Sequence, residues 1–215
     1  MKRQLLSFLT GAALALGVTS AFADDFYPPT WRGDAGSTFQ QWEFLSGAEL
    51  QLPDLYVNPY GDPYALVADH GWYNEISDRQ GVFGQSGLMA FYVPNNVNPF
   101  EKDVWVQVTW QNAGEEPIMG LMDNNGTPYP LTEDLGARQD AGNGWYNSLY
   151  TGQIPFNPPF EVFAIAGDIY VDQVVIDTLC HSPVPELASP ACIPLAALGL
   201  FCFGAWCRRH SSELN

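Results

Sequence analysis

Apolar and polar side chains alternate with period two along several segments between residues 24 and 182. The clearest segment is 103–111, where alternation separates an apolar set from a mixed set: Val104, Val106, Val108 and Trp110 against Trp105, Gln107, Thr109 and Gln111. A second segment is 168–178, where the two sets are Tyr170, Asp172, Val174 and Ile176 against Ile169, Val171 and Val175. This pattern predicts β-strands with two chemically different faces.

Further strands are predicted where short apolar runs are separated by turn residues. Residues 87–93 and 160–166 are typical of more fully buried strands, and 38–44, 64–68 and 145–151 are weaker candidates. Asn125-Gly126 between the apolar runs 118–122 and 127–131 predicts a β-hairpin. No segment has the periodicity of an amphipathic helix. Eight to ten strands in this length favour an all-β fold, an antiparallel β-sandwich of jelly-roll type.

The N-terminal 23 residues have the pattern of a secretory signal peptide. A charged start is followed by an apolar run and by Ala21-Phe22-Ala23, in which Ala21 and Ala23 form a small-residue cleavage site. We therefore expect signal peptidase and the export machinery as partners of residues 1–23. The alternative is an uncleaved N-terminal anchor.

The C-terminal segment predicts a transmembrane helix. Residues 187–207 contain no charged side chain, and 21 residues at about 1.5 Å each span roughly 30 Å, the thickness of a bilayer core. Arg208 and Arg209 follow directly and should stay in the cytoplasm. The middle of the chain, residues 24–182, would then lie outside. A buried core helix is the alternative.

Val184, Pro185 and Glu186 stand directly before this apolar segment, and Arg208 and Arg209 close it. A Pro-Glu turn, a short apolar helix and a terminal Arg cluster resemble the PEP-CTERM sorting signal, over residues 183–215. The resemblance implies an exosortase-type protease as partner, which removes the tail. It also implies transient membrane anchoring, then a place at the cell surface or in the extracellular matrix of a bacterium with an outer envelope, beside exopolysaccharide. A plain single-pass anchor is the alternative.

The charge of the middle segment limits its partners. Residues 24–182, called the β domain below, contain 4 basic and 22 acidic residues, so their net charge is −18. Nucleic-acid binding is excluded as a main role, because a polyanion is bound through basic groups. Most of the carboxylates should be surface charge, but a few could converge to bind Ca²⁺. The candidate ligands are Asp168 and Asp172, and also the loop with Asp62 and Asp69.

No motif of a known catalytic chemistry occurs in the chain. G-x-S-x-G, H-E-x-x-H, C-x-x-C, the P-loop and G-x-G-x-x-G are all missing from the sequence. We therefore expect a non-enzymatic protein without a cofactor other than Ca²⁺. A glycosidase pair of carboxylates stays open, because such a pair is defined by its separation in space.

Cysteine usage excludes an internal disulfide in the β domain. Cys180 is its single cysteine, and the other three lie in the apolar tail. Cys180 is either an unpaired thiol, a partner in an intermolecular disulfide or a site of lipid attachment.

Two aromatic pairs are candidates for glycan binding. Trp72-Tyr73 and Trp145-Tyr146 each follow a glycine and would begin strands beside exposed turns. Their rings could stack on pyranose faces, or they could pack in the core as most such side chains do. Three hypotheses follow: a non-enzymatic surface or matrix protein, a carbohydrate-binding module for a defined glycan, or a glycan hydrolase.

Overall fold

The computed structural model describes residues 25–84 and 87–181, and within these ranges the regular structure consists of strands, without a helix. The larger sheet holds β1 (Ser37–Trp42), β3 (Leu55–Val57), β5 (Gly71–Ile76), β6 (Arg79–Gly84), β8 (Lys102–Asn112), β11 (Leu131–Glu133), β12 (Gln139–Gly142), β13 (Trp145–Ile154) and β15 (Ile169–Cys180). The smaller sheet holds β2 (Leu50–Gln51), β4 (Tyr64–Ala68), β7 (Gly87–Pro94), β9 (Ile118–Asp123), β10 (Pro128–Tyr129) and β14 (Phe160–Gly167). The predicted signal peptide and the predicted tail from residue 183 onward lie outside the described residues.

Both sheets are antiparallel, as the sequence predicts. The larger sheet has the order β11-β13-β8-β15-β1-β3, with β12 on β13 and the β5–β6 hairpin attached to β15 through β6. The smaller sheet has the order β10-β9-β14-β7-β4-β2. The strands predicted from alternation all occur, and β9 and β10 form the predicted hairpin. Gly126 closes its turn with a φ of 79°, a conformation that glycine adopts without steric cost.

One hydrophobic cluster is shared by the two sheets. On β8 the apolar set predicted from alternation faces this cluster, from Val104 to Trp110. Phe91 of β7 and Phe163 of β14 reach it from the smaller sheet, and both are fully buried. The face of the larger sheet toward this cluster is called its inner face below, and the opposite face its outer face.

The faces predicted for β15 are wrong beyond residue 171. The pairing of β15 with β8 shifts between Val171 and Gln173, which leaves Asp172 as the extra residue of a β-bulge. A bulge reverses the sides on which the following residues point. Val174 and Ile176 therefore join Ile169 and Val171 in the core instead of sharing a face with Tyr170.

The outer face of the larger sheet is partly covered by the N-terminal segment 25–36. The backbone N–H of Tyr27 donates to Gln107 Oε1 at 2.9 Å, and Gln107 Nε2 donates to Asp25 Oδ1 at 2.6 Å. Gln107 is buried as a result, although it points away from the core. Between this cover and the strands at the sheet edge, part of the outer face stays open.

Candidate functional site

An open cleft lies on the outer face of the larger sheet, next to the part of that face that the N-terminal segment covers. Its volume is about 480 Å³. Strands β8, β11 and β13 supply the floor, and Trp31 of the N-terminal segment stands at the side. The lining residues are Trp31, Asp103, Val104, Trp105, Pro130, Thr132, Thr151, Gly152 and Gln153.

Cross-strand pairing places the side chains of the floor in two rows. Thr151 of β13 is paired with Trp105 of β8 on one side and with Thr132 of β11 on the other. In the next row, Gln153 is paired with Asp103. Directly paired residues in an antiparallel sheet share a face, so these five side chains form one continuous surface.

The two tryptophans are held by the N-terminal segment. Trp105 Nε1 donates to the backbone oxygen of Tyr27 at 2.8 Å, so its polar edge is satisfied within the protein. Trp31 lies in a turn in which Asp34 N donates to Trp31 O at 3.0 Å. The next residue, Arg32, binds Asp177 of β15 through two hydrogen bonds of 2.6 and 2.7 Å. Both indoles are half-buried, which leaves part of each ring open to the cleft.

Asp103 is the one charged side chain among the described residues that line the cleft. Its Oδ1 accepts a hydrogen bond from Gln153 Nε2 at 2.9 Å. Its Oδ2 lies 2.8 Å from His181 Nε2 at the exposed end of β15. The cleft therefore offers two aromatic surfaces, neutral hydroxyl and amide groups, and one carboxylate at the margin.

The structure places the four aromatic residues predicted from the sequence elsewhere, and none of them lines the cleft. Trp72 packs against the core and donates from Nε1 to Phe44 O at 2.9 Å. Tyr73 meets Tyr170 edge to face, with ring centroids 5.7 Å apart. A glycan contact through Trp72 or Tyr73 stays a prediction.

Trp145 and Tyr146 begin β13 and point to opposite faces. Trp145 is fully buried on the outer face, with the Arg79 guanidinium 5.5 Å from its ring centroid. Tyr146 is 38% exposed and lies 5.3 Å from the ring of Trp110. Of this pair, only Tyr146 has the exposure that stacking on a sugar requires.

Of the two predicted metal ligands, Asp172 has a side-chain partner and Asp168 has backbone partners. Asp172, in the bulge of β15, forms an ion pair of 2.7 Å with Arg79. The backbone oxygen of Asp168 accepts hydrogen bonds from Ala113 N and Glu115 N at 3.2 Å. Among residues 25–84 and 87–181, no group of three or more His, Cys, Asp or Glu side chains is arranged to hold a metal ion. Calcium binding at Asp168 and Asp172 stays a prediction.

Comparisons of the chain with protein-family models, with curated proteins and with solved structures give no match. In the two described ranges, no helix has the length and apolar character needed to cross a membrane.

Proposed function

We propose that this chain is a non-enzymatic, exported surface or extracellular-matrix protein whose β domain binds a polysaccharide in the cleft beside Trp31 and Trp105. The observation that carries the proposal is the combination of two half-buried indoles with Thr132, Thr151 and Gln153 in one open cleft. For the architecture we propose an antiparallel β-sandwich of jelly-roll type, which the two sheets around one core support.

The chemistry of the cleft suits a sugar ring. A pyranose has an apolar face of C–H groups and a rim of hydroxyl groups. Indole rings provide large apolar surfaces for the face, and threonine hydroxyls and a glutamine amide can exchange hydrogen bonds with the rim. An open cleft rather than a closed pocket suits an extended chain of sugar units.

The charge favours a neutral or cationic glycan over an anionic one. No Lys or Arg lines the cleft among the described residues, and Asp103 lies at its margin. The β domain as a whole carries a net charge of −18. Acidic polysaccharides would be repelled by this field.

Binding is favoured over hydrolysis by the number of carboxylates. Glycoside hydrolysis commonly uses two carboxyl groups, about 5 to 10 Å apart, on either side of the scissile bond. The described residues that line the cleft include one carboxylate, Asp103, which Gln153 and His181 already contact. A carbohydrate-binding module is thus a narrower form of the same proposal, with a single defined glycan as ligand.

The sorting signals complete the proposal. The signal peptide with Ala21 and Ala23 would send the chain across the membrane. The PEP-CTERM-like tail, with Val184, Pro185 and Glu186 before the apolar segment, would anchor it until an exosortase-type protease removes the tail. Delivery to the cell surface or matrix would place the cleft among the polysaccharides of the envelope.

The Trp31→Ala and Trp105→Ala variants test the cleft. Each should weaken binding to neutral polysaccharides by about tenfold or more, because truncating a central aromatic contact typically costs over 1.4 kcal/mol. Affinity electrophoresis of the exported protein through gels containing a panel of neutral, cationic and anionic polysaccharides measures this loss.

Tyr146→Ala is the matched control, since Tyr146 is an exposed aromatic residue outside the cleft. Its binding should equal that of the wild-type protein. Loss of binding in Tyr146→Ala with unchanged binding in both tryptophan variants would move the site from the cleft to the start of β13. Retardation by anionic polysaccharides alone would contradict the proposed ligand class.

A further inference from the structure

Three side chains with complementary chemistry meet inside the protein at one end of the core. Lys102 is the first residue of β8 in the larger sheet, and Glu161 lies on β14 of the smaller sheet. Asn95 directly follows β7 of the smaller sheet. Lys102 and Glu161 are fully buried, and Asn95 is 8% exposed.

Each of the three side chains contacts both of the others. Lys102 Nζ lies 2.7 Å from Glu161 Oε1 and also donates to Asn95 Oδ1. Asn95 Nδ2 donates to Glu161 Oε2. The lysine nitrogen is thus held against the side-chain amide of Asn95, while the carboxyl group of Glu161 touches both the lysine nitrogen and the amide nitrogen.

We propose that this triad forms an intramolecular isopeptide bond between Lys102 Nζ and Asn95 Cγ, with Glu161 carrying the protons. The reaction replaces the C–N bond of the Asn95 amide with a new C–N bond to lysine and releases ammonia. It is independent of the proposed glycan binding.

The steps balance without a further reactant. Glu161 takes a proton from the Lys102 ammonium, and the freed lone pair attacks Asn95 Cγ. As the tetrahedral centre collapses, Glu161 returns a proton to Nδ2, which leaves as ammonia. The attacking nitrogen gives up one more proton, which departs with the ammonia as ammonium. No atom is oxidised or reduced.

The burial of Glu161 favours its role as the group that takes up the proton. Burial raises the pKa of Glu161 to about 7, against the opposing effect of Lys102. Proton transfer from Lys102 to Glu161 removes two opposite charges from the interior, where each buried ion costs several kcal/mol. The neutral pair is also the reactive one, because an ammonium group has no lone pair for attack.

The position of the bond gives it a structural role. It would join the end of β7 in one sheet to the start of β8 in the other, across the core. Cys180 is the single cysteine among the described residues, so these residues cannot form a disulfide with one another. An isopeptide bond would link the two sheets covalently in an exported protein. Unlike a disulfide, it is not broken by reduction.

Cleavage after Glu101 tests the bond directly, because Glu101 lies between Asn95 and Lys102. The full-length protein is isolated after export, and circular dichroism is used to check that it has the spectrum of a β-sheet protein. It is then denatured and digested with a glutamyl endopeptidase. Residues 76–101 and 102–115 should stay joined. The mass of the joined product should be lower than the sum of the two free fragments by about 17 Da, the mass of one ammonia. Two separate fragments from the folded wild-type protein would overturn the proposal.

The joined fragments identify the cross-link, whereas the loss of about 17 Da alone does not. Asparagine can also lose ammonia by cyclising on its own backbone, but that product does not hold two fragments together. Lys102 is the only lysine between residues 25 and 181, so a second lysine in this range cannot form the cross-link.

Variants then assign the three roles. Lys102→Arg and Asn95→Ala should give separate fragments, because each removes one reacting group. Glu161→Gln keeps the size of the side chain and should slow bond formation by at least about a hundredfold, the usual contribution of acid–base catalysis. Asn98→Ala is the matched control, an asparagine of the same loop that bonds to Asn96 O and Phe100 N, and it should stay cross-linked.

Each contrary result has a defined meaning. Joined fragments in Lys102→Arg or Asn95→Ala would show a different bond and overturn the assignment. Equal rates in Glu161→Gln and the wild-type protein would overturn the role of Glu161. The wild-type digest decides the proposal even if a variant fails to fold.

Discussion

The Arg32→Ala variant should unfold with a free energy about 3 kcal/mol lower than that of the wild-type protein at pH 8, because it leaves a buried carboxylate without its partner. Asp177 is fully buried on the outer face of the larger sheet. Arg32 approaches it through two hydrogen bonds and stacks on Phe39, with 4.3 Å between the guanidinium carbon and the ring centroid. Arg32 also binds Asp25. Its loss should release the N-terminal segment and, with it, Trp31.

Urea unfolding followed by tryptophan fluorescence measures this difference. Arg138→Ala is the matched control, since Arg138 also bonds to two carboxylates, Glu116 and Glu133, neither of which is fully buried. Both carboxylates keep contact with water when Arg138 is lost, so this variant should lose less stability than Arg32→Ala. Equal losses in the two variants would contradict the importance of the buried pair.

The loss of folding stability caused by Arg32→Ala should depend on pH. Burial raises the pKa of Asp177 to about 6, although Arg32 opposes this effect. In the unfolded chain the pKa returns to about 3.9. The folded state therefore binds the proton more tightly, and the stability from this group is complete below about pH 4 and lost as the pH rises through 6.

At pH 5 the Asp177 carboxyl group is largely neutral in the folded protein, so its burial depends less on the ion pair with Arg32. The destabilisation by Arg32→Ala should thus be smaller at pH 5 than at pH 8. Adding Asp177→Asn to Arg32→Ala should restore most of the lost stability at pH 8, because it removes the unpaired charge. A loss that is the same at both pH values, and that Asp177→Asn does not repair, would refute this explanation.

The strands could be predicted from the sequence where one face is buried in the core. On β8 the alternation of Val104, Val106 and Val108 with polar residues identified the inner face correctly. On β15 the same rule failed after Val171, because a bulge inserts one residue without changing the composition of the strand. Pairing with β8 decides where the extra residue lies, and a single strand does not contain that information.

The cleft could not be predicted because it depends on which part of the outer face is covered. Trp105 and Gln107 occupy equivalent positions in the alternation of β8. Gln107 is buried under Asp25 and Tyr27, whereas Trp105 keeps part of its ring open. Trp31, the other aromatic wall, comes from a segment without periodicity, so only the folded chain brings it to the sheet.

The triad of Asn95, Lys102 and Glu161 also has no signature in the sequence. Its members come from a loop and from strands of two different sheets, and no fixed spacing relates Glu161 to the other two. What the sequence does contain is a weak signal: one lysine in a strongly acidic domain lies at the start of its most regular strand. Burial of that lysine, which requires a partner, is visible only once the sheets are paired.

Replacing Pro185-Glu186 with Ala-Ala should abolish removal of the tail. These residues lie outside the described part of the structure. Arg208 and Arg209 cost several kcal/mol to move through a bilayer and should hold the end of the apolar segment in the cytoplasm. Pro185-Glu186 would then stand at the outer membrane surface, within reach of a membrane-embedded protease.

Proline and glutamate have separate roles in this arrangement. Pro185 would stop the proposed transmembrane helix from extending backwards through the proposed cleavage site, and Glu186 would mark the border between water and lipid. The mature protein should therefore end near Glu186, which intact-mass measurement on protein from its native cell envelope determines. Pro190→Ala, a proline within the apolar segment, is the matched control and should leave processing unchanged. Arg208→Ala with Arg209→Ala should instead weaken retention before cleavage. A full-length C-terminus in the wild-type protein would make the tail a permanent single-pass anchor, because the apolar segment alone is long enough to hold the chain in the membrane.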